Sequence, residues 1–186
     1  MGGWKLLRDR HESKTDPPAR LYKKSAPGLS KPSHLGYVVT ENKNGLMVQS
    51  CVTEAGPRAE WDAALAMLGA IAPGPREIMV AADKGDHDEK CITGMRALGV
   101  VPVVAEFRAS KNWKNWLNES ERQHPRFSSS QKTRRRVEKV FSWIKTVAGL
   151  RQTKLRGQGR IDWLFRLTAA AHNLVQMVKL LPTGSG

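Results

Sequence analysis

The chain has 186 residues, 40% hydrophobic and 26% charged, enough apolar content to bury one sizeable core and too much for disorder throughout. Its formal net charge of +14 and pI near 10.2 point to a polyanionic partner, with nucleic acid ahead of an anionic membrane surface. Two cysteines, Cys51 and Cys91, exclude a disulfide framework and have no partner at metal-ligand spacing, which fits packing residues in a reducing cytoplasm.

Residues 1–33 mix charge with Pro17-Pro18 and Pro27-Gly28 and carry no strong period, so they read as an arm or loop that needs a partner surface to be ordered. Leu35–Thr40 and Leu46–Val52 favour strands, and the intervening Glu41-Asn42-Lys43-Asn44-Gly45 predicts an antiparallel hairpin. Trp61, Leu65, Leu68 and Ile71 then share one helical face, and Pro73-Gly74-Pro75 stops that helix. Glu77–Ala82 predicts a strand ending at Asp83. A helix follows through Ile92, Met95 and Leu98 to Gly99, and then a strand from Val100 to Ala105. Strand, helix, strand in that order implies a right-handed parallel βαβ unit. Phe107–Ser129 is polar, basic and Trp-bearing and reads as an insert or long loop, in which Trp113 and Trp116 either stack on unpaired bases or pack on the domain. Two helices close the chain, one around Glu138 and one from Arg160 to Leu180. Asp162, Arg166, His172, Asn173, Gln176 and Lys179 interrupt the apolar stretch from Ile161 to Leu181, so a buried core helix accounts for it better than a membrane span. Residues 34–181 therefore read as one domain, followed by a tail at 182–186.

Charge is unevenly placed. From Arg108 to Arg160 there are 15 Lys or Arg against 3 Asp or Glu, a balance of +12, whereas Gly56–Gly99 has 5 against 7. Within the basic segment Val137, Val140, Phe141, Ile144 and Ala148 form one apolar helical stripe. Glu138 lies at its edge, with Arg134 and Lys145 on the same side. That placement suits a carboxylate holding a metal ion beside a phosphate backbone. From local pattern alone a solvated face fits better, one on which Arg134 and Glu138 pair at i,i+4, worth about 0.3–0.5 kcal/mol. Asp83 stands where ligands gather in open α/β sheets, at the carboxyl end of a strand, although a turn or N-cap role fits it too. The run Asp86-His87-Asp88-Glu89-Lys90-Cys91 reads as a solvated first turn, because a helix points consecutive residues to different sides. His124 and His172 read as a solvated loop residue and a satisfied core residue.

Five segments together resemble, in order, the C-terminal part of bacterial insertion-sequence transposases of the DDE type: Asp16-Pro17-Pro18-Ala19-Arg20-Leu21-Tyr22-Lys23-Lys24-Ser25, Glu41-Asn42-Lys43-Asn44-Gly45-Leu46, Ala82-Asp83-Lys84-Gly85, Arg135-Arg136-Val137-Glu138 continuing to Gly149-Leu150, and Ala169-Ala170-Ala171-His172-Asn173-Leu174-Val175. The resemblance implies an α/β, ribonuclease-H-like fold with C-terminal helices, in which two Asp and one Glu bind Mg²⁺ (or Mn²⁺) to nick DNA and join strands. Asp83 matches the second acid and Glu138 the third, as catalytic residues and metal ligands. The first acid lies on a strand upstream of the segment that Asp16 matches. The chain is thus expected to lack its first strand, to bind metal weakly, to be marginally stable and to be inactive alone. A sharp melt above about 60 °C would contradict the stability expectation. Just after Asp83 an aromatic residue is usual in the family, whereas Asp86, with His87 and Cys91, stands here.

The resemblance also implies partners: the DNA ends of the element, and full-length transposase or an upstream complementing fragment, in a bacterial cytoplasm at the nucleoid. Arg134, Arg135, Arg136 and Lys145 are the residues expected on DNA phosphates. The alternative is a non-enzymatic, basic DNA-binding module or a regulatory remnant of a transposase.

Overall fold

The computed structural model describes residues 13–23, 29–56, 58–71, 77–83, 88–105 and 115–181. Its strands are β1 (Arg20–Tyr22), β2 (Lys31–Thr40), β3 (Met47–Glu54), β4 (Ile78–Ala82) and β5 (Val100–Val104). Its helices are α1 (Ala59–Ile71), α2 (Glu89–Ala97), α3 (Glu119–Arg122), α4 (Phe127–Arg134), α5 (Arg136–Thr146) and α6 (Gln158–Leu180). The strands form two small sheets, an antiparallel β1-β2-β3 and a parallel β4-β5.

The expected hairpin forms, with Tyr37 opposite Cys51 and Gly36 opposite Val52. Its turn needs Gly45 at φ 75°, and the Glu41 carboxylate caps it by accepting from the backbone N–H of Lys43 (2.7 Å), Asn44 (2.6 Å) and Leu46 (3.1 Å). The βαβ unit also forms, with Ile78 beside Val100 and Ala82 beside Val104. Asp88 is the N-cap of α2, its side chain accepting from Lys90 N at 2.9 Å, and Cys91 is fully buried. Arg20–Tyr22, within the segment read as an arm, pairs with Lys31–Ser33 at the start of β2. The Pro73-Gly74-Pro75 stop and Trp113 lie outside the described residues.

Alternation along the strands sets the layers. On one face of the hairpin, Val38, Met47 and Val52 pack with Val140 and Ile144 of α5 and Phe165 and Ala169 of α6. On the opposite face α1 packs, with Glu60 close enough to Tyr37 to act on its charge. In the second sheet Ile78, Val80 and Val100 join Leu65 and Leu68 of α1 and Cys91 and Met95 of α2. Met79 faces the other way, toward Ser129, Ser130 and Thr133 of α4. Helix α1 thus spans both sheets on one side and the α4–α5 rod spans them on the other. The two sheets therefore share one middle layer. A cavity of about 400 Å³ lies where they approach, between Asn42 and Lys43 of the hairpin turn, Glu77 and Met79, and α4.

Three expectations are corrected. Residues 115–129 are not an open insert: Leu117 is buried, Trp116 packs against the Ile92–Val104–Leu117 cluster, and Glu121 is clamped by Arg96. The salt bridge is two-pronged, Arg96 Nε to Oε1 and Nη2 to Oε2, each 2.7 Å, and the same Nη2 donates to Trp116 O at 2.8 Å. Polar composition suggested a loop here because the buried charges satisfy each other, a pairing that no local period reveals. The helix around Glu138 is longer and jointed, α4 ending at Arg134 and α5 starting at Arg136, with Arg135 between them. Helix α6 is not buried on most sides. Phe165, Thr168, Ala169 and His172 face the core, while Trp163, Leu167, Leu174 and Met177 face outward.

Helix α6 also shields the outer edge of β3. Asn173 accepts from Met47 N and donates to Met47 O, both at 2.8 Å, while Asp162 accepts from Val52 N at 2.8 Å and Gln158 donates to Val52 O at 3.0 Å. The spacing follows from geometry. Eleven helical residues from Asp162 to Asn173 rise about 16.5 Å, close to the span from Met47 to Val52, and the register shift opposite Val39/Thr40 turns both of those peptide groups to the outer edge, where one straight helix meets them. Side-chain amides and carboxylates stand in for a neighbouring strand there. At the N-terminus of α6, Asp16 accepts from Gly157 N and meets His34 Nε2, both at 3.0 Å. Burial works against charge on Asp16, but the His34 and Gly157 hydrogen bonds, with the charge of Arg156, hold its carboxyl below the ordinary range.

Candidate functional site

Asp83 directly follows β4, and its carboxylate is 60% exposed at the carboxyl end of the strand. Arg134, the last residue of α4, brings Nη1 to 3.5 Å from Asp83 Oδ2. Its Nε is buried and makes no hydrogen bond among the described residues. Glu138 sits one helical turn further, exposed in the first turn of α5, where the helix dipole favours a carboxylate. The i,i+4 pair between Arg134 and Glu138 does not form: Arg134 turns to the strand end, leaving Glu138 without an ion pair among the described residues.

The other expected cations divide. Arg136 Nη1 donates to the hairpin-turn carbonyls of Asn42 and Lys43, the latter at 2.6 Å, so it joins α5 to the β2–β3 turn. Arg135, at the joint, is exposed. Lys145 is exposed and lies 5.7 Å from the Phe141 ring centroid. The segment between α5 and α6 adds Arg151, Lys154 and Arg156, all exposed, and Arg160 opens α6. These extend the basic surface beyond the residues singled out in the sequence; the signal was there in the charge count from Arg108 to Arg160, without an apolar stripe to orient it.

His172 is buried, edge-on to Trp143 at a ring-centroid distance of 5.1 Å, and burial pushes its pKa down, in keeping with a core role. His124 is not fully solvated: its Nε2 stands 3.6 Å from Glu77 Oε2.

Asp83 and Glu138 are hard oxygen donors of the kind a divalent cation takes. Among the described residues, however, no group of three or more His, Cys, Asp or Glu could hold a metal ion. Among the described residues, no helix is long and apolar enough to cross a membrane.

The arrangement is thus that of a mixed α/β domain with an acid at a strand's carboxyl end beneath a strongly basic helix, a class suited to phosphate-bearing polymers. Residues 95–178, 84 of the 186, match a family model described as "Transposase DDE domain". That segment, running from the end of α2 through α6, is similar to the DDE domain of transposases. Glu138 and the four expected DNA-binding cations fall inside it, and Asp83 lies upstream of it. No curated protein and no solved structure matches the chain.

Proposed function

We propose that the chain contributes the second and third acids, Asp83 and Glu138, to a transposase reaction of metal-dependent DNA strand cleavage and transfer. The observation that carries this reading is the Asp83–Arg134 contact, which ties the strand end to the last residue of α4, four residues before Glu138 in α5. A DDE reaction uses Mg²⁺ (or Mn²⁺) to activate the attacking oxygen and stabilise the leaving one. Two carboxylates hold such an ion weakly. The chain's own cations bind and orient the DNA: Arg135 and Lys145 are exposed to meet phosphates, and Arg134 keeps a buried Nε donor beside the acid.

The ribonuclease-H-like reading extends this. The edge of β2 beyond its three-residue pairing with β1 and the outer edge of β4 lie in one layer, and a strand carrying the first Asp, placed between them, would complete the sheet and the acid triad. An upstream fragment or full-length transposase would supply it, and the DNA bound would be the element's ends.

Strand nicking and transfer on element-end DNA with Mg²⁺, by the chain alone and by the chain extended with an upstream Asp-bearing strand, tests the reading. Activity is expected only in the extended form and lost in Asp83→Asn and Glu138→Gln. Activity that survives either substitution would overturn the assignment, and inactivity of both forms with salt-sensitive DNA binding retained would favour a binding module.

A further inference from the structure

Helix α6 carries two apolar faces on opposite sides, and among the described residues only one of them packs into the core. Trp163, Leu167, Ala170, Leu174, Met177 and Leu181 follow one another at spacings of 4, 3, 4, 3 and 4, the heptad seam of a helix that packs on another helix. At 100° per residue they fall within about 40° of a single line. Phe165, Thr168, Ala169 and His172 lie on the far side, in the core. The seam is open: Trp163 is 65% exposed, Leu174 66% and Leu181 66%. Together these six side chains expose on the order of 700–800 Å² of mostly apolar surface, about one partner's share of a standard interface and beyond what a monomer usually leaves to water.

We propose that this face pairs with the same face of a second copy of the chain, the two α6 helices running antiparallel about a two-fold axis level with His172. Self-pairing is favoured by how the seam reads against itself. Antiparallel, Trp163 meets Leu181, Leu167 meets Met177, and the small Ala170 leaves room for Leu174, so the central layers are small against large and every layer is filled. In a parallel pair, Trp163 would face itself and Ala170 would leave a hole. Charge gives the same direction. Arg160 and Arg166 flank the amino-terminal half of the seam, and no Lys or Arg flanks its carboxyl-terminal half closely, so antiparallel pairing sets each copy's cations against apolar surface at opposite ends. Antiparallel helix dipoles add to this.

The test is sedimentation equilibrium of the full chain without DNA, at a salt concentration high enough to screen the net charge of +14. A concentration-dependent dimer is expected, weakened at least about a hundredfold by Leu174→Glu, which sets a carboxylate at the centre of the seam in both copies. Because Leu174 is exposed in the single chain, the circular dichroism of that variant should match the parent, which separates lost association from lost folding. Oxidation of an equimolar mixture of Ala170→Cys and Leu174→Cys chains should give a mixed disulfide, with neither variant cross-linking efficiently by itself. A monomer at all concentrations, a dimer indifferent to Leu174→Glu, or efficient self-cross-linking of Ala170→Cys alone would each overturn the proposal.

Discussion

Asn173 holds the edge of β3 with both ends of its amide, and replacing it with Asp changes one atom of that contact. In Asn173→Asp the acceptor for Met47 N remains at the 2.8 Å position, while the donor to Met47 O becomes a second oxygen at the same distance. A hydrogen bond is lost and a repulsive oxygen pair replaces it, beside a Met47 that is 5% exposed. Leaving a buried carbonyl without its donor costs about 1–3 kcal/mol, and the ionised carboxylate adds to that, for a total of about 2–4 kcal/mol at neutral pH. For a chain of this size that lowers Tm by about 5–15 °C. The repulsion vanishes once the new carboxyl is protonated and can donate, so its folded-state pKa is raised. The destabilisation should be full above that value and shrink as pH falls through it. Urea unfolding followed by the fluorescence of the six tryptophans measures this, with Asn173→Ala as the control that removes both contacts. An Asn173→Asp variant within about 0.5 kcal/mol of the parent at pH 7, or equally destabilised at pH 7 and pH 4, would refute the strand-mimic role.

Three further outcomes follow from contacts described above. Glu121→Gln should cost about 2–3 kcal/mol, since Glu121 is 10% exposed and Arg96 33%, placing the pair between a buried and a surface salt bridge. Burial opposes the Glu121 charge, but Arg96 and Asn118 N hold its pKa below the ordinary 4.5, so the benefit is full above about 4.5 and lost as pH falls through the lowered value. The gap between parent and variant in thermal melts should close over that window. Gly36→Ala would set a Cβ 2.9 Å from Phe165 Cε2 and Cζ, and displacing that ring from the hairpin should cost about 1–3 kcal/mol in chemical denaturation; a neutral result would mean that the ring moves freely. Replacing Arg135 and Lys145 with Ala should leave Tm unchanged and reduce the slope of log K against log salt for DNA binding by about 2, one per phosphate contact; an unchanged slope would remove both from the interface.

The hairpin and the βαβ unit were legible in the sequence because each rests on local signals: alternation bounded by Asn-Gly, and two apolar strands around an amphipathic helix. The stripe that buries Val140 and Ile144 was legible for the same reason. Local patterns could not show that Arg134 chooses Asp83 over Glu138, since the competing partner is 51 residues away. Nor could they show that Arg136 is drawn onto the Asn42–Lys43 carbonyls. The clamp of Glu121 by Arg96 and the edge contacts of Asn173 and Asp162 are long-range pairings of polar groups that composition alone marks as surface. Helix α6 was read as a buried core helix because a helix buried on every side and one with two opposite apolar faces have nearly the same composition.

The middle layer is discontinuous. Among the described residues, no strand pairing joins β1-β2-β3 to β4-β5, so the cohesion between them is carried by side chains of α1 and of the α4–α5 rod. Backbone ladders transmit opening along a sheet, whereas a side-chain contact lets each half fluctuate on its own, so amide hydrogen exchange should resolve two separately protected units. The amides of β2–β3, held by α6, should exchange through one opening reaction and those of β4–β5 through another; a single common rate across both would show that the helices couple them fully. The joint at Arg135 falls between the two units, so the proposed pairing of Asp83 with Glu138 draws one acid from each half, and whatever stiffens the boundary between the halves also steadies that proposed pair.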